Sequence, residues 1–251
     1  MTLSAAQIAQ FRDEGFLAVE GVFSTEQVTA LRQRMEELIQ ELEHPETRRS
    51  GVRFSREGDA APQPGLRGAA ADAAVRTFGA LTQHEPVFRA AACSTALVDL
   101  VVNLIGAPLS LYSDQAMLKP PRYGTEKPPH QDNAYFRIDP ADAGVTAWCA
   151  LDDATVENGC MQYLAGSQRD GLVEHEAIAG TPHLVPRSAG TDYRYAPVPA
   201  GSVVFHHLLT LHRSGANHSD TWRRAFICHY VRSDARMPGL RADAPTLLSV
   251  R

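Results

Sequence analysis

Long hydrophobic runs are missing from this chain of 251 residues. The most apolar stretch, near Ala96–Ile105, is interrupted by Asp99 and Asn103. It falls well short of the roughly 20 apolar residues that a membrane-spanning helix needs. Cysteine is scarce. Cys93, Cys149, Cys160 and Cys228 form no CxxC pair, so the sequence predicts buried, reduced thiols rather than a disulfide framework. A basic surplus is also absent. The formal net charge of −5 leaves no electrostatic footprint for nucleic acid or an anionic membrane. The opening residues, Met1 to Ile8, have neither the basic segment nor the apolar core of a signal peptide, and a cytoplasmic location is the expectation.

What is present is an ordinary globular composition, 44% hydrophobic and 21% charged. The length suits one domain, residues 1–251, around one large core. The first part reads as helical. Ser4 with Gln7 makes a capping-box pattern for a helix ending near Gly15, and Phe16–Val19 is a strand candidate. Ser24 with Gln27 repeats the pattern. Val28, Leu31, Met35, Leu38 and Leu42 then recur at three- and four-residue steps on one helix face. From about Glu43 to Ala74 the chain is rich in Pro, Gly and Arg and reads as an irregular excursion, either a surface loop or a substrate lid. A further helix, broken near Ser94, is predicted over Glu85–Ile105 and ended by Gly106 and Pro108.

After Pro108 the pattern changes. Short apolar runs alternate with turn residues: Leu109–Leu118, Val145–Leu151, Met161–Leu164, Ala196–Val198, Ser202–His206 and Ala225–Val231. Short strands at such spacing predict a sandwich or barrel. Mainly helical support over 1–108 should therefore precede a β core over 109–232, with no internal repeat.

His130, Gln131 and Asp132 carry the first chemistry. In an extended segment, residues one apart share a face, so an imidazole and a carboxylate can meet one metal. A second histidine would complete a facial triad and leave coordination positions open for a cosubstrate and O2, the arrangement of non-haem Fe(II) oxygenases. His206, His207 and His212 are all candidates by position. Alone, an H-x-D segment is weak evidence, because many chains carry one on a surface turn.

These segments resemble the phytanoyl-CoA dioxygenase family of Fe(II)/2-oxoglutarate oxygenases. The likeness runs from Gln10 through Phe23 at the start, past Met117–Pro121, to the His130–Asp132 motif, the Asn158–Cys160 turn with Gly166 and Ser167, and the His212–Ser219 segment. Ala165 and Gln168 depart from the family's turn pattern. The resemblance implies a double-stranded β-helix, a jelly-roll of cupin type, flanked by N-terminal helices. It implies Fe(II) held by His130, Asp132 and His212, which selects His212 among the three histidines, with 2-oxoglutarate as cosubstrate and O2 as oxidant. Arg223 would grip the distal carboxylate of 2-oxoglutarate, a task for which a planar guanidinium is suited. Arg224 would face the other way along the strand. Ser214, Trp148 and Gln115 fall at cosubstrate positions, Gln115 where the family often has an apolar residue.

By that resemblance the chain would couple decarboxylation of 2-oxoglutarate to succinate and CO2 with oxidation of a small-molecule C–H bond. Hydroxylation is the default outcome, with secondary metabolism as its expected setting. Asp132 argues against halogenation, which needs a small residue there. Desaturation, epimerisation or ring closure suits the same centre. Other readings of the ligands are a catalytically silent metal- or ligand-binding barrel and a zinc hydrolase or isomerase. His206 and His207 read as strand or supporting residues, and His218 and His229 as ordinary surface or core histidines. Arg122, Lys127 and Arg137 read as a solvated face, against a role in holding an anionic substrate. The sequence is silent on oligomeric state and on which small molecule is the substrate.

Overall fold

The computed structural model describes residues 1–43, 51–59, 74–238 and 248–250. Helix α1 (Ala5–Glu14) starts with the expected box: Ser4 Oγ accepts from Gln7 N–H and Gln7 Oε1 accepts from Ser4 N–H, at 3.2 and 2.9 Å. It ends at Gly15, whose φ of 80° is a conformation glycine adopts at little cost. Strand β1 (Phe16–Val19) follows. Helix α2 (Thr25–Glu43) is opened by the reciprocal bonds of Ser24 and Gln27 and buries Val28, Leu31, Met35 and Leu38. The Glu43–Ala74 excursion is in part regular: β2 (Arg53–Arg56) pairs with β3 (Val75–Gly79). Residues 44–50 and 60–73 lie outside the described residues.

Three helices come next: α3 (Leu81–His84), α4 (Pro86–Ala92) and α5 (Thr95–Ile105). The break predicted near Ser94 is there, since Ser94 is extended at φ −64°, ψ 136° and α4 and α5 are bent by 42°. Among the described residues no single helix is long and apolar enough to cross a membrane. The apolar character of α5 serves packing, with Leu97, Val98, Leu100 and Val101 buried, each worth roughly 1.5–3 kcal/mol. Of the cysteines, Cys149, Cys160 and Cys228 are buried and reduced as expected, but Cys93 is exposed because it closes α4 at the surface.

The β part comprises β4 (Leu109–Lys119), β5 (Lys127–His130), β6 (Gly144–Ala150), β7 (Met161–Tyr163), β8 (His175–Ala177), β9 (Leu184–Pro186), β10 (Arg194–Ala196), β11 (Val203–His207), β12 (His212–Ser214), β13 (Arg223–Arg232) and β14 (Leu248–Ser249). A four-residue helix, α6 (Asn133–Phe136), follows β5. One 8-stranded sheet runs β1-β11-β6-β13-β4-β3-β2, with β14 on β4, and a 4-stranded sheet runs β10-β7-β12-β5. All recorded pairings in both are antiparallel. Among the described residues, strands β8 and β9 pair only with each other.

Side chains alternate across a strand, and the large sheet uses both faces. Ala147, Cys149, Phe205 and Phe226 turn outward into one core with α2, α4 and α5. Trp148, Val204, Ala225 and Ile227 turn inward to meet Met161, Tyr163 and Ala196 of the small sheet. Covering on both sides explains why every residue of β6 is buried. The inward space between the sheets is where the polar exceptions gather.

Candidate metal centre

Strands β5 and β12 are neighbours in the small sheet, and His130 and His212 are direct cross-strand partners. Their rings lie 4.2 Å apart between centroids. The expectation that His130 and Asp132 share a strand face needs correction. β5 ends at His130, and Asp132 has helical torsions, φ −59°, ψ −37°, at the entry to α6. The turn, not the alternation, carries the carboxylate to the imidazoles. Asp132 Oδ1 lies 3.6 Å from Nε2 of both His130 and His212, and one donor atom from each residue falls within 4.8 Å of the others.

The histidines are held in one tautomer by their own strands. His130 Nδ1 is 2.9 Å from the Pro128 carbonyl, and His212 Nδ1 is 2.9 Å from the Thr210 carbonyl. A carbonyl only accepts, so each Nδ1 carries the proton and each Nε2 presents a lone pair. Burial drives His130 well below the usual imidazole range and His212 down to about 4, with neighbouring histidines adding to the effect. Both are neutral at neutral pH, the form that binds a metal.

Asp132 is fixed from the opposite side. Thr146 Oγ1 donates to Oδ2 at 2.6 Å, and His206 Nε2 lies 3.1 Å from the same oxygen. Burial alone would raise this carboxyl, but His212 and His206 outweigh it and hold Asp132 well below the usual carboxylate range. Behind this pair the network continues. Tyr163 Oη is 3.1 Å from His206 Nδ1, His229 Nδ1 is 2.9 Å from Thr146 Oγ1, and Gln115 Nε2 is 3.4 Å from His229 Nε2. One proton arrangement satisfies all of it: Tyr163 donates to His206, His206 to Asp132, Gln115 to His229, and His229 to Thr146. Oδ2 is thereby occupied and Oδ1 is left for a metal.

The rest of the predicted set surrounds the same cavity of about 350 Å³, which Gln115, Trp148, Ser214 and Arg223 all line. Arg223 is 1% exposed, and among the described residues neither Nε nor Nη1 has a hydrogen-bond partner. Its guanidinium carbon sits 5.4 Å over the Trp148 ring. Burial lowers Arg223 to about 10, so it stays charged at neutral pH. A buried cation with two orphaned donors is a costly arrangement unless an anion completes it. Arg224 faces outward as expected, bonded to Asp152 and Glu36.

The donor set suits ferrous iron: two neutral imidazole nitrogens and one carboxylate oxygen, on one side of a pocket that leaves the far side open. The orphaned guanidinium suits the distal carboxylate of a keto diacid.

One placement differs from the sequence reading. Lys127 is not on a solvated face, because it lines the cavity with its ammonium 5.4 Å from the Tyr135 ring centroid. Arg122 and Arg137 are exposed. His207 faces Asp142 at 2.8 Å, away from the triad, and His229 is buried. Thr146 and Tyr163 were not singled out. A lone hydroxyl in the apolar run Val145–Leu151 was the available signal for Thr146. Asn217 and Ser219 of the distal motif are staples. Asn217 donates to the carbonyls of Lys119, Pro120 and Thr221, and its Oδ1 accepts from Ser219. At Gly159, φ 84°, an added Cβ would run into the Gly215 carbonyl, which accepts from Lys119 Nζ. The Asn158–Cys160 turn therefore depends on glycine there.

Comparison with known proteins places these features in context. The family model described as phytanoyl-CoA dioxygenase matches residues 11–225. Phytanoyl-CoA dioxygenase domain-containing protein 1 of Mus musculus is 29% identical, across 91% of this chain and 90% of the relative. Among solved structures, SnoK, a non-haem α-ketoglutarate-dependent carbocyclase from nogalamycin biosynthesis, is 28% identical with a TM-score of 0.72, covering 96% of this chain and 89% of its own. EvdO2 from Micromonospora carbonacea var. aurantiaca, complexed with 2-oxoglutarate, is 26% identical with a TM-score of 0.71, covering 98% and 96%. The two-sheet core is the jelly-roll of these oxygenases.

Proposed function

This chain belongs to the phytanoyl-CoA dioxygenase family, and we propose that it oxidises a C–H bond of a small molecule, most simply by hydroxylation, in step with conversion of 2-oxoglutarate to succinate and CO2. Iron, 2-oxoglutarate and O2 are the cofactor, cosubstrate and oxidant of this enzyme class. When bound, iron supplies the activation of O2 that no amino-acid side chain provides.

In this reading His130, Asp132 and His212 hold the iron through Nε2, Oδ1 and Nε2. Arg223 receives the distal carboxylate of 2-oxoglutarate, with Ser214 beside it and Trp148 as the wall beneath the guanidinium. Gln115 acts through His229 rather than as a cosubstrate contact, which its 3.4 Å approach to that ring supports. Thr146 and His206 keep the carboxylate from rotating. The observation that carries the reading is the buried Arg223 with two unpartnered nitrogens, in the same cavity as a preoriented His-Asp-His set.

Anaerobic titration of the Fe(II)-loaded chain with 2-oxoglutarate tests it. A weak visible charge-transfer band should develop and saturate, and Asp132→Ala should lose both the band and succinate formation. A chain that binds Fe(II) but gives no band at saturating cosubstrate would instead be a silent metal-binding barrel.

A second outcome at the same centre, ring closure, draws support from the likeness to the carbocyclase at 28% identity. Product mass separates the outcomes. Hydroxylation adds one oxygen atom, oxidative ring closure removes two hydrogens, and epimerisation changes neither.

A further inference from the structure

The charges that line the cavity do not balance once the metal and cosubstrate are assigned. Among the described residues, Asp59, Arg76, Lys127, Asp132, Arg213 and Arg223 are the charged ones there. A ferrous ion and Arg223 together offset Asp132 and the two carboxylates of 2-oxoglutarate. Arg76 is already paired with buried Glu57, at 2.9 Å. Asp59 sits on the exposed rim. Lys127 and Arg213 remain.

Of these two, Arg213 is occupied by the Gln162 side chain, at 2.9 Å, and by the face of Tyr193, with its guanidinium carbon 4.3 Å from the ring. Lys127 has no carboxylate within 4.0 Å among the described residues. Its ammonium instead donates to His183 Nδ1 at 3.0 Å. An ammonium has three N–H donors, so this bond leaves capacity to spare. A His183 ring that accepts at Nδ1 carries its own proton on Nε2, a second N–H donor on a residue that lines the same cavity. Lys127 is paired in register with Ser214, two residues along β12 from His212 and, across a register shift, three along β5 from His130. Met117, Trp148, Met161, Phe136 and Ile227 make the rest of the wall largely apolar.

We propose that Lys127, braced by His183, is the anchor for an oxyanion group, a carboxylate or phosphoryl, on the primary substrate, whose apolar body then lies across the cavity toward the metal. The proposal rests on the oxygenase reading above and goes past it by stating the chemical class of the substrate. It assigns Lys127 to the substrate and Arg223 to the cosubstrate.

The experiment uses the Fe(II)- and 2-oxoglutarate-loaded protein under anaerobic conditions. Benzoate, its uncharged analogue benzamide, and inorganic phosphate are titrated by calorimetry while the charge-transfer band is followed. Benzoate should bind at least about tenfold more tightly than benzamide, the effect of one charge-assisted contact, without bleaching the band. Lys127→Gln should erase that preference and leave 2-oxoglutarate affinity unchanged within about twofold, and Lys127→Arg should keep the preference. Phosphate displacing benzoate more tightly than benzoate binds would specify a phosphoryl group, and the reverse a carboxylate. The proposal is overturned by equal affinity for benzoate and benzamide, by no binding of any probe, or by an undiminished preference in Lys127→Gln. It is also overturned if benzoate bleaches the band, because Lys127 would then belong to the cosubstrate. Failure of the oxygenase reading looks different: no band forms in any variant before a probe is added.

Discussion

His206 Nε2 lies 3.1 Å from Asp132 Oδ2, the carboxylate oxygen turned away from His130 and His212. With Thr146 on the same atom, the bond leaves a single oxygen, Oδ1, facing the two imidazoles, so that the proposed iron would receive one carboxylate oxygen. His206, on β11 of the larger sheet, is thus a positioning residue for Asp132.

Removing that brace should loosen the metal site without removing a ligand. His206→Ala and Thr146→Val are each expected to weaken Fe(II) affinity or kcat by about 10–100-fold, the usual effect of losing an outer hydrogen bond to a ligand. His206→Gln retains a donor and should recover part of the loss. Fe(II) dissociation constants, together with kcat and KM for 2-oxoglutarate, check this. Unchanged iron affinity and kcat in both variants would show that Asp132 needs no such support.

Arg223 predicts a trade of stability against binding. Without cosubstrate its Nε and Nη1 have no partner among the described residues, so Arg223→Met should raise the stability of that form, by roughly 1–3 kcal/mol. The same change should weaken 2-oxoglutarate binding by about 10–150-fold, the value of one or two hydrogen bonds to a charged group. Arg223→Lys should fall between, since an ammonium cannot reproduce the fork. Thermal melts with and without 2-oxoglutarate read both effects, and the ligand-induced rise in Tm should vanish in Arg223→Met.

The metal-free protein should lose stability on mild acidification. Burial lowers His212 and His229 to about 4, against an ordinary value of 6.5. As pH falls, the unfolded chain takes up these protons first. The stability contributed by keeping both rings neutral is therefore complete above the unfolded value and is lost progressively as pH drops toward the folded value, with a magnitude on the order of a few kcal/mol. Urea unfolding with a chelator present, between neutral pH and pH about 4.5, measures it. His229→Gln should flatten the slope, and an equally steep profile in that variant would assign the acid sensitivity to other groups.

The helical parts of this fold were legible because capping and periodicity are local. Ser4 with Gln7, Ser24 with Gln27 and the break at Ser94 all stand where the sequence put them. The long strands β4, β6 and β13 announced themselves as apolar runs. The strands that hold the imidazoles did not. β5 reads Lys-Pro-Pro-His and β12 only His-Arg-Ser, too short and too polar for alternation to register. Motif resemblance marks their candidate ligands instead. Thr146, Tyr163 and the inward turn of Lys127 stayed hidden because their roles arise from partners distant in sequence, such as Asp132 fourteen positions from Thr146 and His206 forty-three from Tyr163. β2 and β3 escaped notice because the arginine-rich composition around them resembles loop.

Because His130 and His212 face each other across one rung of a ladder, the distance between them is set by backbone pairing and not by the length of chain that separates them. Insertions or deletions within that intervening stretch, including the β8–β9 ribbon, can remodel the walls of the chamber while the rung stays intact. A slip of a single residue in either short strand would instead turn one imidazole to the opposite face and dismantle the centre. The architecture thus separates what evolution is free to vary, the walls that choose the molecule admitted, from what it must keep fixed, the pairing that brings the two imidazoles together.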